Sequence, residues 1–182
     1  MNQKESRNRN LLILGAGQYG TVVREIAEEL GFFQKISFLD DCHGKTNSNY
    51  HEETIGSMQD YNKFKEEYAY AIPAIGNAGF RMNLFDQLEN AGFEIPVLVS
   101  PRAYVSLSAD LGKGVVIEPL AGVHANAVIG KGSYISMGAT VNHNAVIAEG
   151  CHIDNNAVVM SGAKVLKGTT TEPCAVILRG NK

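Results

Sequence analysis

Residues 128–165 read VIGKGSYISMGATVNHNAVIAEGCHIDNNAVVMSGAKV, and an aliphatic side chain returns at every sixth position. The period begins before this stretch, at Val105, and runs through eleven consecutive positions. These positions are Val105, Leu111, Ile117, Val123, Ile129, Ile135, Val141, Ile147, Ile153, Val159 and Val165. A fixed period of this length predicts a repeat architecture in which each coil packs its aliphatic side chains on those of the previous coil.

Two further positions of each six-residue unit follow the same rule. Four residues after each aliphatic position stands a small side chain or a valine, so each unit has two inward positions. Three residues after it stands Gly or Asn in nine of eleven units, namely Gly114, Asn126, Gly132, Gly138, Asn144, Gly150, Asn156, Gly162 and Gly168. Gly and Asn tolerate a left-handed backbone, so the pattern indicates short strands separated by tight turns. We predict a three-faced parallel β-helix of nearly four coils.

The first half of the chain has a different organisation. LLILGAGQYGTVVREIAEELG, from Leu11 to Gly31, predicts a buried strand, a glycine turn and an amphipathic helix. The turn contains G-x-G-x-x-G at Gly15, Gly17 and Gly20, where the backbone and the helix N-terminus are suited to a phosphate group. The alternative is that these glycines only form a tight joint between strand and helix.

A second strand, KISFLDD, ends in Asp40 and Asp41, about 20 residues beyond the last glycine, where an acidic side chain accepts hydrogen bonds from a ribose or a base. In the alternative interpretation this pair only begins a solvated loop. A helix-like stretch around residues 59–68 and a further helix closed by Gly92 complete a small parallel α/β sheet. The sheet is too small for a full dinucleotide fold, which favours a mononucleotide or a nucleotide-sugar over the NAD cofactor of a reductase.

Composition excludes several other functions. Lys and Arg number 16 against 19 Asp and Glu, and a net charge of −3 disfavours nucleic acid and anionic membranes as partners. No apolar run approaches the roughly 18 residues of a membrane span, so we expect a cytoplasmic protein. Cys42, Cys151 and Cys174 have no metal-ligand spacing, and we interpret them as thiols in a protein without a metal.

The motifs of the two halves together resemble one family. GAGQYG at 15–20, FLDD at 38–41, IGNAGFR at 75–81, VSPRAYVS at 99–106 and VNHNAVIAEGCHI at 141–153 resemble the NeuD/PglD-type sugar O- or N-acetyltransferases. The resemblance extends from about Leu11 to Ser161. It implies a left-handed β-helix that binds acetyl-CoA, an N-terminal domain that binds a nucleotide-linked sugar, and a homotrimer with sites between subunits.

The same resemblance implies roles for individual residues. His143, which projects outward two residues after Val141, is the expected general base, with Asn144 beside it in the catalytic pair. His152, Ser161 and Gly162 are the expected acetyl-CoA-binding residues. The expected substrate-binding residues are Gly15, Gly17, Gln18, Tyr19, Gly20, Asp40 and Asp41. A solvated surface position remains the alternative for His143 and His152.

Three departures from the family pattern affect these expectations. Asn144 stands where the family has Asp or Glu and brings no negative charge to the imidazole. Gln18 and Tyr19 stand where the family commonly has a small residue and a histidine. Beyond Val165 the tail GTTTEPCAVILRGNK is expected to close the prism early and to remove part of the acetyl-CoA track.

We therefore predict a Rossmann-like α/β domain over residues 1–100 and a left-handed β-helix over residues 101–182. The expected activity is acetyl transfer from acetyl-CoA to an amino or hydroxyl group of a nucleotide-linked sugar in surface-polysaccharide synthesis. The alternative is a non-catalytic trimer that binds sugar nucleotides. A prism-type metalloenzyme is disfavoured because Ala148 stands five residues after His143, where a second histidine ligand is required.

Overall fold

The N-terminal half forms a small α/β domain in the computed structural model, which describes residues 8–42 and 54–180. Its elements are β1 (Asn10–Leu14), α1 (Gln18–Glu29), β2 (Lys35–Leu39), β3 (Thr54–Gly56), a 3-10 helix (Met58–Phe64), β4 (Tyr70–Pro73) and α2 (Ala78–Ala91). All strand pairs are parallel, in the order β3-β2-β1-β4. The helix predicted around residues 59–68 is a shorter 3-10 helix. The predicted ends of the other two helices agree with the structure: α1 and α2 end before Gly31 and Gly92, which both have positive φ.

The C-terminal half consists of two-residue strands arranged in three parallel sheets, which form the faces of a prism. Face I contains β5 (Leu98–Val99), β8 (Val116–Ile117), β11 (Tyr134–Ile135) and β14 (His152–Ile153). Face II contains β6 (Tyr104–Val105), β9 (Gly122–Val123), β12 (Thr140–Val141), β15 (Val158–Val159) and β17 (Val176–Ile177). Face III contains β7 (Asp110–Leu111), β10 (Val128–Ile129), β13 (Val146–Ile147) and β16 (Lys164–Val165). The predicted fold class is confirmed.

The six-residue pattern explains the interior of the prism. From Ile117 to Val165 every aliphatic position is at most 5% exposed, and the position four residues later contributes the rest of the core. All nine predicted Gly and Asn positions have positive φ, and Leu120 and Cys174 also adopt it. Asn144 has φ of 58°, a left-handed conformation that Asn and Asp adopt more readily than Glu.

The tail does not close the prism after Val165, so that expectation is wrong. β17 pairs with β15 on face II, and Thr171 fills the inward aliphatic position at 8% exposure. The left-handed turn is at Cys174, with φ of 60°. At the other end, the first strand of the prism is β5, just before the expected domain boundary at residue 101. The prism is therefore longer at both ends than the aliphatic period alone indicates.

Face I carries the N-terminal domain. Leu98, Val116 and Tyr134 on its outer side belong to the same apolar cluster as Ile13 and Val23 of the α/β domain. The glycine-rich loop between β1 and α1 consequently lies against face I. None of the helices in the described ranges is long and apolar enough to cross a membrane.

Candidate active site

The glycine-rich loop joins β1 to α1, and two of its three glycines are in close contact with neighbouring atoms. Gly15 has φ of +111°, and a Cβ there would lie 2.9 Å from the Ala74 carbonyl oxygen. A Cβ on Gly20 would lie 2.1 Å from the Gly15 carbonyl oxygen, so both positions require glycine. Gly17 differs, because a Cβ there would meet nothing within 4 Å. The loop is therefore open to a ligand at Gly17 and at the exposed Gln18, where α1 begins.

The two acidic residues that follow β2 are engaged in the local structure. Asp40 accepts hydrogen bonds from the backbone N–H of Ala16 and of Cys42, each at 2.7 Å. Asp41 accepts a hydrogen bond of 2.5 Å from the Ser57 hydroxyl. Asp40 thus fixes the glycine-rich loop to the end of β2. Binding of a ribose or a base by this pair remains a prediction.

A cavity of about 360 Å³ lies beside Asp41. Gln59 of the 3-10 helix and Phe80 and Gln87 of α2 are among its lining residues, and Phe80 is 43% exposed. An aromatic ring and two side-chain amides are suited to stacking on a nucleobase and to hydrogen bonding with its edge. The sequence analysis assigned no binding role to Gln59, Phe80 or Gln87, because no local pattern indicates that the 3-10 helix and α2 face one another.

The second cluster lies where the glycine-rich loop meets face I. The Tyr19 ring stacks on Tyr134, with ring centroids 4.3 Å apart, and lies 5.8 Å from the His152 ring. His152 Nε2 is 2.8 Å from the Ser136 hydroxyl oxygen. The Glu118 carboxylate accepts a hydrogen bond of 3.0 Å from the backbone of the next coil. Two residues predicted for different ligands, Tyr19 and His152, are thus neighbours.

We call Tyr19, Tyr134, His152, Ser136 and Glu118 the junction cluster. Burial controls the charges of its ionisable side chains. Burial raises the pKa of Tyr19, and the nearby Tyr134 and Glu118 raise it further. Burial also raises the pKa of Glu118, and it lowers the pKa of His152. Both the phenol and the imidazole therefore favour their neutral forms, in which each is a hydrogen-bonding group rather than a charge.

We expect His152→Gln to reduce the sensitivity of the protein to mild acid. The pKa of His152 lies below its unfolded value of about 6.5, so the unfolded chain binds the proton first and stability is lost as pH falls through about 6.5. Glu118 acts in the opposite direction in both proteins. Thermal unfolding at about pH 7.5 and about pH 5.5 measures the effect, which we expect to be about 2 °C in Tm. An equal fall in Tm for both proteins contradicts the prediction.

His143 lies at the edge between faces II and III, in the turn that joins β12 to β13. We call this the His143 edge; its turns are residues 106–108, 124–126, 142–144, 160–162 and 178–180. The exposed His143 ring has its Nδ1 atom 2.9 Å from Asn144 Nδ2 and 3.3 Å from the Ser161 hydroxyl oxygen. Gly162 donates its backbone N–H to the His143 carbonyl oxygen at 3.1 Å. The fold thus brings four of the predicted site residues together: Asn144 and Ser161 contact the His143 ring, and Gly162 contacts the His143 backbone.

The His143 edge and the junction cluster lie on opposite sides of one chain. A three-faced prism has one edge opposite each face, and the edge between faces II and III is opposite face I. His152 is on face I together with the glycine-rich loop, whereas His143 is on the opposite edge. His152 is therefore separated from Ser161 and Gly162, with which the sequence grouped it.

No group of three or more His, Cys, Asp or Glu side chains within residues 8–42 and 54–180 is arranged to hold a metal ion. Cys151 is buried at an inward position of the prism, and burial raises the pKa of its thiol. A buried neutral thiol is a poor nucleophile.

Comparison with known proteins identifies two families in the chain. Residues 10–88 match the PglD N-terminal domain, and residues 108–143 match the bacterial transferase hexapeptide (six repeats). No significant match to the chain is found among curated protein sequences.

Solved structures provide nearly full-length relatives. The acetyltransferase domain of PglB from Neisseria gonorrhoeae FA1090, in complex with acetyl coenzyme A, is 32% identical, with a TM-score of 0.74 over 90% of this chain and 84% of that chain. A histidine mutant of GDP-perosamine N-acetyl transferase from Caulobacter crescentus, in complex with CoA and GDP-perosamine, is 22% identical, with a TM-score of 0.81 over 93% and 89% of the two chains. WeeI from Acinetobacter baumannii AYE is 16% identical, with a TM-score of 0.53 over 88% and 92%.

Proposed function

This chain belongs to the NeuD/PglD-type sugar acetyltransferases of the hexapeptide-repeat superfamily, and from that premise we propose that it moves an acetyl group from acetyl-CoA to a nucleotide-linked sugar. The acceptor is an amino or hydroxyl group of the sugar. The observation that carries the proposal is the exposed imidazole of His143, which is fixed through Nδ1 at an open edge of the prism.

The reaction that we propose needs one base. The acceptor nitrogen or oxygen attacks the thioester carbonyl carbon while its proton passes to His143 Nε2. The resulting tetrahedral adduct collapses, its carbon–sulfur bond breaks, and the imidazolium returns the proton to the CoA sulfur. For Nε2 to accept the proton, Nδ1 must carry hydrogen, and the Asn144 amide must turn its oxygen toward the ring.

We expect Asn144→Asp to raise kcat about tenfold. A carboxylate at this position stabilises the imidazolium that forms in the transition state, and it accepts only from the Nδ1–H tautomer that leaves Nε2 free. Asp also tolerates the left-handed backbone of residue 144. Steady-state kinetics measure the change. Asn156→Asp, at a left-handed turn elsewhere on the prism, is the control. A gain of the same size in both variants would show that the effect does not act through His143.

The acceptor site that we propose is the glycine-rich loop. The phosphates lie at Gly17 and Gln18, where the backbone is open, and Gly15 and Gly20 shape the turn. The base of the nucleotide lies in the cavity beside Asp41, with Asp40 supporting the loop. The sugar then lies toward Tyr19 and His152 at the junction.

A homotrimer joins the two halves of this proposed site. Within one chain the glycine-rich loop and His143 lie on opposite sides of the prism, so the acceptor must meet His143 of a second subunit. Exposed apolar side chains support contact along this side: Val128 and Val146 on face III, and Met160 on the His143 edge, are 37–39% exposed. Acetyl-CoA is a cytoplasmic metabolite, and we propose that the trimer acts in the cytoplasm in surface-polysaccharide synthesis.

The test of this proposal is a thiol-release assay with acetyl-CoA and a panel of UDP- and GDP-linked amino sugars and free sialic acid. We expect release of one CoA thiol for each acetylated sugar, and binding of acetyl-CoA in calorimetric titration. Binding of a sugar nucleotide without binding of acetyl-CoA would overturn the proposal and favour a non-catalytic sugar-nucleotide-binding trimer.

A further inference from the structure

Helix α2 lies along the edge of the prism between faces III and I. A glycine with positive φ stands at the same position of each turn on this edge, once per coil: Gly114, Gly132, Gly150 and Gly168. A Cβ on Gly132 would lie 2.6 Å from the Phe85 ring, and one on Gly150 would lie 3.0 Å from Met82 Cγ. The side chains of α2 therefore rest directly on the backbone of the prism.

Arg81 of α2 connects this edge to the α/β domain and is fully buried. On the prism side, Nε donates to the Gly132 carbonyl oxygen at 3.1 Å and Nη2 donates to the Gly150 carbonyl oxygen at 2.7 Å. On the other side, Nη1 donates to the carbonyl oxygens of Ile75 and Gly76, at 2.7 and 3.0 Å. All three nitrogens of one planar group are used, which fixes the segment after β4 relative to two successive coils.

The segment that Arg81 holds is in contact with the start of the glycine-rich loop. Ala74 donates its backbone N–H to the last residue of β1 at 2.8 Å. A Cβ on Gly15 would lie 2.8 Å from Ile75 Cδ1, so the two segments are packed without a gap. A displacement of Ile75 therefore shifts the first glycine of the loop.

A second contact reaches the end of the same loop. The guanidinium carbon of Arg81 lies 4.2 Å from the centroid of the Tyr134 ring. Tyr134 stacks on Tyr19, near the start of α1, with ring centroids 4.3 Å apart, and its hydroxyl donates to the Pro73 carbonyl oxygen at 2.8 Å. Arg81 thus braces the glycine-rich loop at both ends, through Ile75 and through Tyr134.

We propose that Arg81 is a positioning residue for acetyl transfer, which holds the glycine-rich loop where the acceptor reaches His143 of a second subunit. The inference rests on the proposed function. Arg81 is buried and touches neither substrate in this arrangement, so its replacement leaves both binding sites in place. Reacting atoms must approach to about 3–3.5 Å, and a displacement of about 1 Å costs about 10²-fold in rate. The effect of Arg81 therefore falls on kcat rather than on affinity.

The experiment compares Arg81→Lys with the wild type. Lys retains the charge, but one ammonium group does not replace three nitrogens held in a plane. We expect kcat for the nucleotide-linked sugar that is acetylated in the thiol-release assay to fall about 10- to 100-fold. Calorimetric titration is expected to give Kd values for CoA and for the sugar nucleotide within about twofold of the wild type. The stoichiometry of the titration counts intact sites, and expressing kcat per intact site removes the contribution of unfolded protein.

Two further variants accompany Arg81→Lys. Arg102→Lys is the control, because Arg102 also joins the prism to α1, through an exposed ion pair with Glu29, and we expect its kcat to stay at the wild-type value. Tyr134→Phe replaces Arg81→Lys if the latter does not fold. It keeps the stacked ring and removes only the hydrogen bond to Pro73, so we expect kcat to fall about threefold with both Kd values unchanged.

Hydrogen exchange measured by mass spectrometry tests the bracing of the loop without turnover. We expect the backbone amides of residues 15–20 to exchange about tenfold faster in Arg81→Lys than in the wild type. Faster exchange of this loop, in a protein whose wild type acetylates no sugar, supports the bracing by Arg81 and overturns the proposed function.

Other outcomes overturn the positioning role and leave the transferase intact. An unchanged kcat per intact site in Arg81→Lys is one of them. A loss of sugar-nucleotide affinity that accounts for the whole fall in rate is another, because Arg81 would then act on binding. An equal fall in kcat in Arg102→Lys would show that any weakened contact between the domains has the same effect.

Discussion

His143→Gln is expected to lower kcat by about 10²- to 10⁴-fold, the contribution of a positioned general base. The variant retains the size of the side chain but cannot accept the proton at Nε2. The imidazole is exposed, so its loss leaves no buried cavity and the prism remains folded. Affinity for acetyl-CoA is expected to change little. Single-turnover acetylation assays and calorimetric titration measure the two quantities on the same samples.

His124→Gln is the matched control for this prediction. His124 is also exposed and stands in the turn one coil below, where its ring lies 6.1 Å from the Tyr104 ring. We expect its replacement to leave kcat within about twofold of the wild-type value. Equal losses in the two variants would indicate that histidines along this edge affect folding or assembly, and would remove His143 from the mechanism.

Arg81→Met is expected to cause the largest loss of stability. Arg81 is fully buried, and its guanidinium donates to the carbonyl oxygens of Gly132 and Gly150 in the prism and of Ile75 and Gly76 in the α/β domain. Removing the guanidinium leaves the carbonyl groups of the buried Gly132 and Gly150 without partners and breaks both hydrogen bonds to the α/β domain, which costs about 3 kcal/mol or more. We expect Tm to fall by about 10 °C in differential scanning calorimetry.

Arg102→Met is the control, because it tests whether removal of any arginine at the domain boundary causes the same loss of stability. Arg102 connects face II to α1 through an exposed ion pair with Glu29. Exposed pairs contribute about 1 kcal/mol or less, so a fall in Tm of no more than about 3 °C is expected. If Arg81→Met unfolds at the temperature of Arg102→Met, the buried hydrogen bonds between the domains are not a main source of stability.

The prism was predictable because its signal is local and repeated. Every aliphatic position from Ile117 to Val165 is buried, and every predicted Gly or Asn turn is left-handed, since both properties depend on a six-residue spacing visible in the sequence. The last coil follows the same spacing with different residues, because Thr171 is inward and Cys174 is left-handed. Thr is not aliphatic, and Cys does not favour a left-handed backbone, so the sequence analysis did not recognise the last coil.

The candidate site was predictable only in part. His143, Asn144, Ser161 and Gly162 meet because they are one or 18 residues apart in a regular coil. The position of His152 beside Tyr19 depends on how the two domains pack, for which no local sequence signal exists. Arg81 belongs to the motif IGNAGFR, but its role between the domains was not predictable. Its partners are backbone carbonyl oxygens, which every residue type has, so the sequence carries no sign of them.

The separation of His143 from the glycine-rich loop leads to the most direct test. Two inactive variants, His143→Gln and Gly17→Leu, are mixed, co-refolded as trimers and assayed for sugar acetylation. The Cβ of Leu at position 17 would meet no atom within 4 Å, so we expect the protein to fold and the side chain to block the open part of the loop. If each site combines the loop of one subunit with His143 of another, random mixing restores roughly a quarter of wild-type activity. No recovery in trimers shown by mass spectrometry to be mixed would contradict the account.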